Sequence, residues 1–374
     1  MRYYGIKDVK LKNHGRMDLT LDVIPMLSNG HGIELNVAAS QLWVDLEADY
    51  KEFEPWAAIE INGDLVSRFM IDRGSQKVCL FAGRDPGRIT RVKFYRELQA
   101  MSDGSGTSLI IRGLMTDGRI LEPPVYDHKL EFIGDSISSG EGTYGARQDT
   151  DWIPAVMSYS RTYINLIGQA LNAECRVISQ GGWGVFSGWD NDRRHAIPRV
   201  YDKICGLASP SCDEYGAGKD HDFGSWMPEV ILINLGTNDS EGFRQPPFTD
   251  PVTGEVYKLN TERDGTFLKE DVERIVSAAE GFLKKVRKNN PASHIVWMYG
   301  MLGYDLGAAL SGAVLRYKRE SGDDNVSYLK LPDTAEEDKG SNGHPGFDAH
   351  KKAAGVILDH LKEYVFGDSQ REIT

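Results

Sequence analysis

Hydrophobic and polar residues alternate along the first part of the chain, up to about residue 126. The clearest alternating runs lie at 32–37, 42–47, 77–81 and 88–95. Alternation with a period of two is typical of β-strands that bury one face. Two further runs, at 58–61 and 65–69, flank Asn62-Gly63-Asp64, which favours a tight hairpin because asparagine and glycine readily adopt positive φ. The pattern predicts an all-β domain over residues 1–126, built as a β-sandwich of the jelly-roll type.

The pattern changes after Pro123-Pro124, where two consecutive prolines mark a domain boundary. Beyond these prolines, apolar patterns typical of β-strands alternate with patterns typical of α-helices. They predict strands at 129–133, 175–178, 229–233 and 294–299, and helices at 160–171, 269–287 and 345–366. We therefore expect an α/β chain in which residues 127–374 form a three-layer α/β/α domain with a parallel sheet. The long polar segment 245–265 predicts a loop that is either functional or disordered.

Length, composition and charge narrow the possible partners. The chain has 374 residues, 40% of them hydrophobic and 26% charged, which suits two globular domains. Its formal net charge of −12 argues against nucleic acid or an anionic membrane as partner, since both need a basic surface. No run approaches the ~18 apolar residues of a membrane helix. The first ten residues are charged and alternating, so we expect a cytoplasmic protein, with a trimmed export signal as the alternative.

Neither a metal site nor a cofactor is expected. The cysteines show no C-x-x-C spacing and are predicted to be buried thiols, namely Cys79, Cys175, Cys205 and Cys212. Asp348 and His350 lie close to His344, but their spacing matches no ligand motif, and we interpret both as helix surface.

Candidate catalytic residues follow the predicted strands. Ser136, in Gly134-Asp135-Ser136-Ile137, comes just after the strand at 129–133 and is a candidate nucleophile whose own N–H could face a developing oxyanion. His344, next to Pro345, is a candidate base because its pKa range allows it to take and return a proton. Taken singly, each of these residues also fits an ordinary turn or a helix start.

Two further positions could donate hydrogen bonds to an oxyanion. Asn238, in Gly236-Thr237-Asn238-Asp239, follows the strand at 229–233 and offers a side-chain amide. Gly182, in Gly181-Gly182-Trp183-Gly184, follows the strand at 175–178 and lets a backbone N–H approach a ligand closely. All four candidates occur at strand ends, where open α/β sheets bind their substrates. Together they predict a single site for ester hydrolysis.

These four blocks resemble those of the SGNH (GDSL-type) hydrolases, over about residues 130–366. The β-rich segment in front of them is similar to carbohydrate esterase family 2, whose members join an N-terminal jelly roll to an SGNH domain and deacetylate xylan and related glycans. The resemblance implies Ser136 as nucleophile, His344 as base, and an oxyanion hole formed by the Ser136 and Gly182 amides and the Asn238 side chain. It implies an acetylated oligosaccharide or polysaccharide as substrate, an acetyl-enzyme intermediate and no cofactor.

The chain departs from the family pattern just before the histidine. SGNH enzymes commonly carry an aspartate three residues earlier, and the carbohydrate esterases often have Asp-Trp-His-Pro, whereas this chain has Ser341-Asn342-Gly343. The candidates for orienting the ring are a backbone carbonyl, the Asn342 side chain, and a more distant acid such as Asp333 or Asp338. Among them we expect a Ser–His dyad with non-carboxylate support.

Loss of the tryptophan also removes an expected platform for sugar stacking. Trp183 is the candidate replacement, with Trp152 as the alternative. Two other functions stay open at this point: a lipase- or thioesterase-like SGNH hydrolase, and a non-catalytic glycan-binding protein. The sequence also leaves the oligomeric state open, and a homo-oligomer is among the options.

Overall fold

Two antiparallel sheets pack face to face in the N-terminal part of the computed structural model, which describes residues 1–101 and 106–366. The first sheet has the order β1-β10-β5-β8, with β3 beside β10, and contains β1 (Arg2–Gly5), β3 (Ile24–Pro25), β5 (Leu42–Asp49), β8 (Gly74–Phe81) and β10 (Ser108–Thr116). The second has the order β11-β4-β9-β6-β7, with β2 beside β4, and contains β2 (Lys12–His14), β4 (Gly32–Ala38), β6 (Trp56–Ile61), β7 (Asp64–Met70), β9 (Thr90–Arg96) and β11 (Arg119–Leu121).

Strict alternation explains this sandwich. Along β5 the buried positions are Leu42, Val44, Leu46 and Ala48, and they meet alternate residues of β4 in one apolar core. The predicted hairpin is present between β6 and β7, where Asn62 and Gly63 have φ of 56° and 94°. The β-sandwich predicted from the sequence is therefore confirmed.

A five-stranded parallel sheet follows. Its strands are β12 (His128–Gly134), β13 (Ala173–Ser179), β14 (Val230–Asn234), β17 (His294–Tyr299) and β18 (Val326–Lys330), in the order β13-β12-β14-β17-β18. The helices are α1 (Ser136–Ser139), α2 (Tyr163–Ala170), α3 (Thr237–Gly242), α4 (Lys269–Asn289), α5 (Gly307–Ser321) and α6 (Phe347–Leu361), which ends in a π-helical turn (Lys362–Phe366). A small hairpin of β15 (Phe248–Thr249) and β16 (Val256–Tyr257) lies within segment 245–265.

Successive residues of each parallel strand face opposite helical layers. On β14, Ile231 and Ile233 join the core under α4 and α5, while Val230 and Leu232 join the core under α2 and α6. This arrangement confirms the predicted three-layer α/β/α architecture. No helix in the described part of the chain is long and apolar enough to cross a membrane.

Some expectations differ from the structure. The apolar pattern gave no signal for β10, α5 or β18, and residues 367–374 of the predicted second domain lie outside the described residues. His350, interpreted as helix surface, is fully buried: its ring stacks on Tyr163 and its Nδ1 accepts the Tyr163 N–H at 3.2 Å. The cysteines are free thiols, three of them buried and Cys79 half-buried.

Buried polar contacts join the sandwich to the α/β part. Arg16 and Glu131 form an ion pair at 2.9 Å with both side chains at most 3% exposed. Glu97 accepts hydrogen bonds from the Ser158 hydroxyl at 2.8 Å and the Ser160 N–H at 3.1 Å. Burial of a charge without a partner is costly, so these pairs favour one fixed arrangement of the two parts. Residues that follow β5 and β9 are thereby held near the carboxyl ends of the parallel strands.

Candidate active site

The site lies where the order of the parallel strands reverses. β12 is first in the chain, yet β13 pairs with one of its edges and β14 with the other. Connections leave such a point in opposite directions and open a crevice at the carboxyl ends of the strands. A cavity of about 980 Å³ occupies this position, and its lining includes Ser136, Gly182, Asn238 and His344. The structure therefore brings together all four candidates from the sequence.

Ser136 is the first residue of α1, directly after β12. Asp135 caps this short helix by accepting the Ile137 N–H at 3.0 Å, and a Cβ on Gly134 would collide with the Ser138 hydroxyl. The chain can therefore turn sharply at the strand end only because residue 134 is glycine. Ser136 is 5% exposed, and its N–H, at the first helical position, has no carbonyl partner within the helix.

The His344 ring lies between two oxygen atoms. Its Nε2 is 3.0 Å from the Ser136 hydroxyl, and its Nδ1 is 3.0 Å from the backbone carbonyl of Asn342. A carbonyl can only accept, so Nδ1 carries the proton and Nε2 is free to accept the serine proton. Asn342 adopts a left-handed conformation with φ 53°, which asparagine tolerates better than most residues. This conformation turns its carbonyl toward the ring.

Of the groups proposed from the sequence to orient His344, the backbone carbonyl is the one in contact. Asp333 accepts the N–H groups of Gly303 and Thr334, and Asp338 pairs with Lys352, so neither aspartate contacts the ring. The sequence left these two aspartates open as alternatives because nearness along the chain does not fix where a loop carboxylate points.

A carboxylate that was not among the candidates from the sequence lies beside the ring. Glu141 Oε1 is 3.5 Å from His344 Nδ1 and accepts the Asn342 side-chain N–H at 2.9 Å. The available signal was an acid between two glycines, Gly140 and Gly142, only five residues after the serine. Both glycines have positive φ, of 80° and 78°, and a Cβ on Gly142 would lie 2.7 Å from the Cβ of His344. The turn after α1 therefore packs tightly against the histidine loop.

Gly182 offers a free backbone N–H to the cavity. Its φ of 79° favours glycine, and its N–H has no acceptor within the described residues. The preceding amide, that of Gly181, is bonded at 2.7 Å to the side chain of Gln99, which belongs to the sandwich part. Asn238 is the second residue of α3 and donates one amide hydrogen to the Trp183 carbonyl at 2.9 Å. Its second amide hydrogen is available to a ligand in the cavity.

Two buried aspartates organise these turns. Asp239 accepts three backbone N–H groups at 2.7–3.1 Å, from Val185, Phe186 and Ser187, and so anchors the segment after Gly182. Asp135 is fully buried, and this burial, together with the charge of Asp239, raises its pKa to about 7. One of its carboxyl oxygens, Oδ2, has no hydrogen-bond partner within the described residues.

Trp183, the candidate for sugar stacking, lines the cavity but is largely buried. Trp183 is only 7% exposed, and its ring stacks on His195 at 5.1 Å. Trp189 and Trp152 also line the cavity and are more exposed, at 47% and 37%. Trp152 packs edge-to-face on Phe53, which follows β5 of the sandwich. Trp189 went unnoticed in the sequence, although an aromatic residue within the polar run Gly188-Trp189-Asp190-Asn191 was a usable signal.

The described residues contain no group of three or more His, Cys, Asp or Glu side chains arranged to hold a metal ion. The residues at the cavity offer a hydroxyl, an imidazole and several hydrogen-bond donors. In this combination they can carry out acyl transfer.

Known proteins share this architecture. No protein-family model matches the chain. The chain is 45% identical to an acetyl xylan esterase (Est2A) from the rumen bacterium Butyrivibrio proteoclasticus, with a TM-score of 0.94 and coverage of 96% of this chain and 98% of that one. A family two carbohydrate esterase from Clostridium thermocellum, in complex with cellohexaose, shares the fold at 21% identity, with a TM-score of 0.77 and coverage of 94% and 98%.

A curated relative is much longer. The chain is 24% identical over 361 residues to the cellulase/esterase CelE of Acetivibrio thermocellus. The matched region covers 93% of this chain but only 39% of CelE. The high identity to the Butyrivibrio enzyme over nearly the whole of both chains, and the fold shared with family two esterases, show that this chain belongs to carbohydrate esterase family 2.

Proposed function

We propose that the protein is a serine esterase that removes O-acetyl groups from xylan-derived or related carbohydrates through an acetyl-enzyme intermediate. The observation that carries this proposal is the 3.0 Å contact between the Ser136 hydroxyl and His344 Nε2, beside a cavity that Gly182 and Asn238 also line. The 45% identity to an acetyl xylan esterase supports the choice of acetylated xylan as the first substrate to test.

In the acylation step, the Ser136 oxygen attacks the acetyl carbonyl carbon while its proton passes to His344 Nε2. The carbonyl π electrons move onto oxygen, and the resulting oxyanion accepts hydrogen bonds from the Ser136 and Gly182 amides and the Asn238 side chain. When the tetrahedral intermediate collapses, the bond to the sugar oxygen breaks. The imidazolium gives its proton to that oxygen, and the free sugar hydroxyl departs.

Deacylation repeats these steps with water. The neutral His344 ring takes a proton from a water molecule as the water oxygen attacks the acetyl carbon, and the same donors hold the second oxyanion. Collapse breaks the bond to Ser136, whose oxygen receives the proton from His344. Acetic acid is released, and it ionises in water. The original Ser136 proton thus leaves on the sugar hydroxyl and a proton from water replaces it, so Ser136 and His344 return to their starting protonation states.

The size and lining of the cavity support a carbohydrate rather than a lipid leaving group. A volume of about 980 Å³ far exceeds the needs of an acetyl group and leaves room for sugar rings. The exposed rings of Trp152 and Trp189 can pack on the apolar faces of sugars, as aromatic rings do at many binding sites. Charged side chains also line the cavity, among them Asp190, Glu241 and Asp305, and a long acyl chain would have to cover them at a cost in desolvation.

The proposal is tested by acetate release from acetylated xylo-oligosaccharides, acetylated mannan and p-nitrophenyl acetate. Wild-type protein should release acetate from at least one acetylated glycan, and Ser136→Ala should reduce kcat by at least about a thousand-fold while its melting temperature stays unchanged. Ser139→Ala, in the same helix, is the matched control for a lost hydroxyl. Binding of xylan without turnover by the wild type, or activity that survives in Ser136→Ala, would contradict the proposal.

A further inference from the structure

Glu141 is a buried carboxylate that the sequence did not mark as part of the site. It follows α1, its side chain is 4% exposed, and its backbone N–H donates to the Ser136 carbonyl at 3.1 Å. Within residues 1–101 and 106–366, His344 is the one positively chargeable group that lies within ion-pair distance of it, at 3.5 Å. No lysine or arginine there neutralises this carboxylate, so its charge acts chiefly on the histidine.

The two oxygens of Glu141 have different surroundings. Oε1 accepts the Asn342 side-chain N–H at 2.9 Å and faces His344 Nδ1. Oε2 lies against the other side of the site, since a Cβ built on Gly181 would be 3.3 Å from it. The carboxylate is therefore wedged between the histidine loop and the turn that carries Gly182, and it has little freedom to move.

The residue three positions before the histidine cannot supply this charge. It is Ser341, which is fully buried and whose hydroxyl donates to the Tyr144 carbonyl at 3.0 Å. A neutral carbonyl, that of Asn342, bonds His344 Nδ1 in its place. The negative charge nearest to the ring thus comes from a different element, the turn just after the nucleophile.

On the basis of the proposed function, we infer that Glu141 is the acidic positioning residue of this esterase, which holds the Asn342 loop and stabilises the imidazolium form of His344. When His344 takes the Ser136 proton, the ring becomes positively charged. A carboxylate 3.5 Å away on the side of Nδ1 then favours the charged ring, and exclusion of water strengthens this interaction. Glu141 acts through these two residues and does not touch the reacting carbon.

The decisive comparison is Glu141→Gln against Glu141→Asp, assayed with p-nitrophenyl acetate. The glutamine variant keeps the volume and an acceptor for Asn342 but loses the charge. Its kcat should fall about 10- to 100-fold with KM within about threefold, because the missing charge matters only after proton transfer. Glu141→Asp keeps the charge at a greater distance and should retain more of kcat than the glutamine variant.

The pH dependence of kcat/KM separates charge from mere packing. Without the nearby anion, protonation of His344 becomes less favourable, so the acidic limb of the profile should move to lower pH in Glu141→Gln. The other titratable or charged groups near the site are the same in both enzymes, so a difference between the two profiles reports the loss of the Glu141 charge. These unchanged groups are Asp135, Asp190, His195, Glu241, the Arg244–Asp305 pair and, behind the ring, His350.

Each outcome is decisive. A glutamine variant with kcat within twofold of the wild type, an unchanged acidic limb, or equal losses in the glutamine and aspartate variants would overturn the inference. If Glu141→Gln does not fold, as judged by thermal unfolding, Glu141→Asp is compared with the wild type instead. Because its charge is farther from the ring, the acidic limb of its kcat/KM profile should also lie at lower pH, and an unchanged limb would overturn the inference. Ser136→Ala separates failure of the proposed function from failure of this inference. An inactive Ser136→Ala together with a Glu141→Gln variant that behaves like the wild type would refute the inference alone. An active Ser136→Ala would refute the proposed function.

Discussion

The side-chain oxygen of Gln99 accepts a hydrogen bond from the Gly181 N–H at 2.7 Å. Gln99 comes just after β9 of the sandwich, is 1% exposed and lines the cavity, whereas Gly181 belongs to the turn after β13. One residue of the β-rich part thus fixes the turn that presents the Gly182 amide. The sandwich therefore contributes to the active site itself and is more than a separate attachment.

Loss of this contact should impair catalysis although Gln99 touches no reacting atom. In Gln99→Met the partly buried Gly181 N–H loses its acceptor, which leaves the turn free to shift the neighbouring Gly182 amide. We expect kcat for p-nitrophenyl acetate to fall about tenfold, less than for loss of an oxyanion donor. Gln76→Met is the matched control, since Gln76 lies on β8 and its side chain donates locally, to the Asp72 carbonyl. Equal activity of the two variants would show that the turn does not need Gln99.

The Asn238 side chain is the donor that mutation can remove most directly. Asn238→Ala should lower kcat by about a hundred- to a thousand-fold with a smaller change in KM, because the oxyanion forms only after attack. The same substitution also releases the Trp183 carbonyl, so the melting temperature must be measured alongside. Asn238→Asp, which keeps the shape but accepts rather than donates, should be as inactive as the alanine variant. Substantial activity in Asn238→Asp would remove this residue from the oxyanion hole.

Burial of Asp135 gives stability an unusual pH dependence. Its pKa is raised to about 7 in the folded protein, so the folded state holds this proton more tightly than the unfolded state does. Stability from this group is therefore full below its unfolded pKa, near 4, and is lost as pH rises from about 4 to about 7. Asp135→Asn keeps a helix cap but carries no charge.

The asparagine variant should therefore be more stable than the wild type at pH 8, by up to about 4 kcal/mol, and equally stable near pH 4. Urea unfolding at both pH values measures the difference. A wild-type advantage at pH 8 would mean that the folded protein stabilises the Asp135 carboxylate rather than the acid.

The elements that the apolar pattern revealed are those with a continuous apolar run, such as β17, or with one clear apolar face, such as α4. β17 was predicted with its observed bounds, and α4 nearly so, because each presents a long uninterrupted pattern. In α5 some of the buried residues are small, namely glycine and alanine, so the apolar stripe along the helix is weak in the sequence. Gly113 interrupts β10 in the same way, and the bulge beside it breaks the alternation.

The active-site residues likewise divide into those that the sequence revealed and those that it did not. Residues whose chemistry is tied to a strand end, such as Ser136 and Asn238, could be selected from sequence because the topology of a parallel sheet brings strand ends together. Glu141, Gln99 and Trp189 were not selected, since the local signals at Glu141 and Trp189 do not tell how three turns pack against one another. Such tertiary contacts leave no periodic trace in the chain.

Trp189 tests how the cavity distinguishes a carbohydrate from a simple ester. Its ring is 47% exposed, lines the cavity and lies 3.1 Å from a Cβ built on Gly182, so it stands beside the oxyanion donors. In Trp189→Ala a bound sugar would lose an aromatic surface worth about 1 kcal/mol or more. KM for an acetylated xylo-oligosaccharide should rise about five- to tenfold, whereas kinetics with p-nitrophenyl acetate should change less than twofold.

Steady-state kinetics with both substrates measures this difference, and Trp43→Ala on the sandwich, outside the cavity, is the control. A parallel loss on both substrates would mean that Trp189 supports the Gly182 turn instead of the sugar. An unchanged KM for the oligosaccharide would transfer the stacking role to Trp152, whose exposed face and contact with Phe53 would place the sugar against the sandwich side of the cavity.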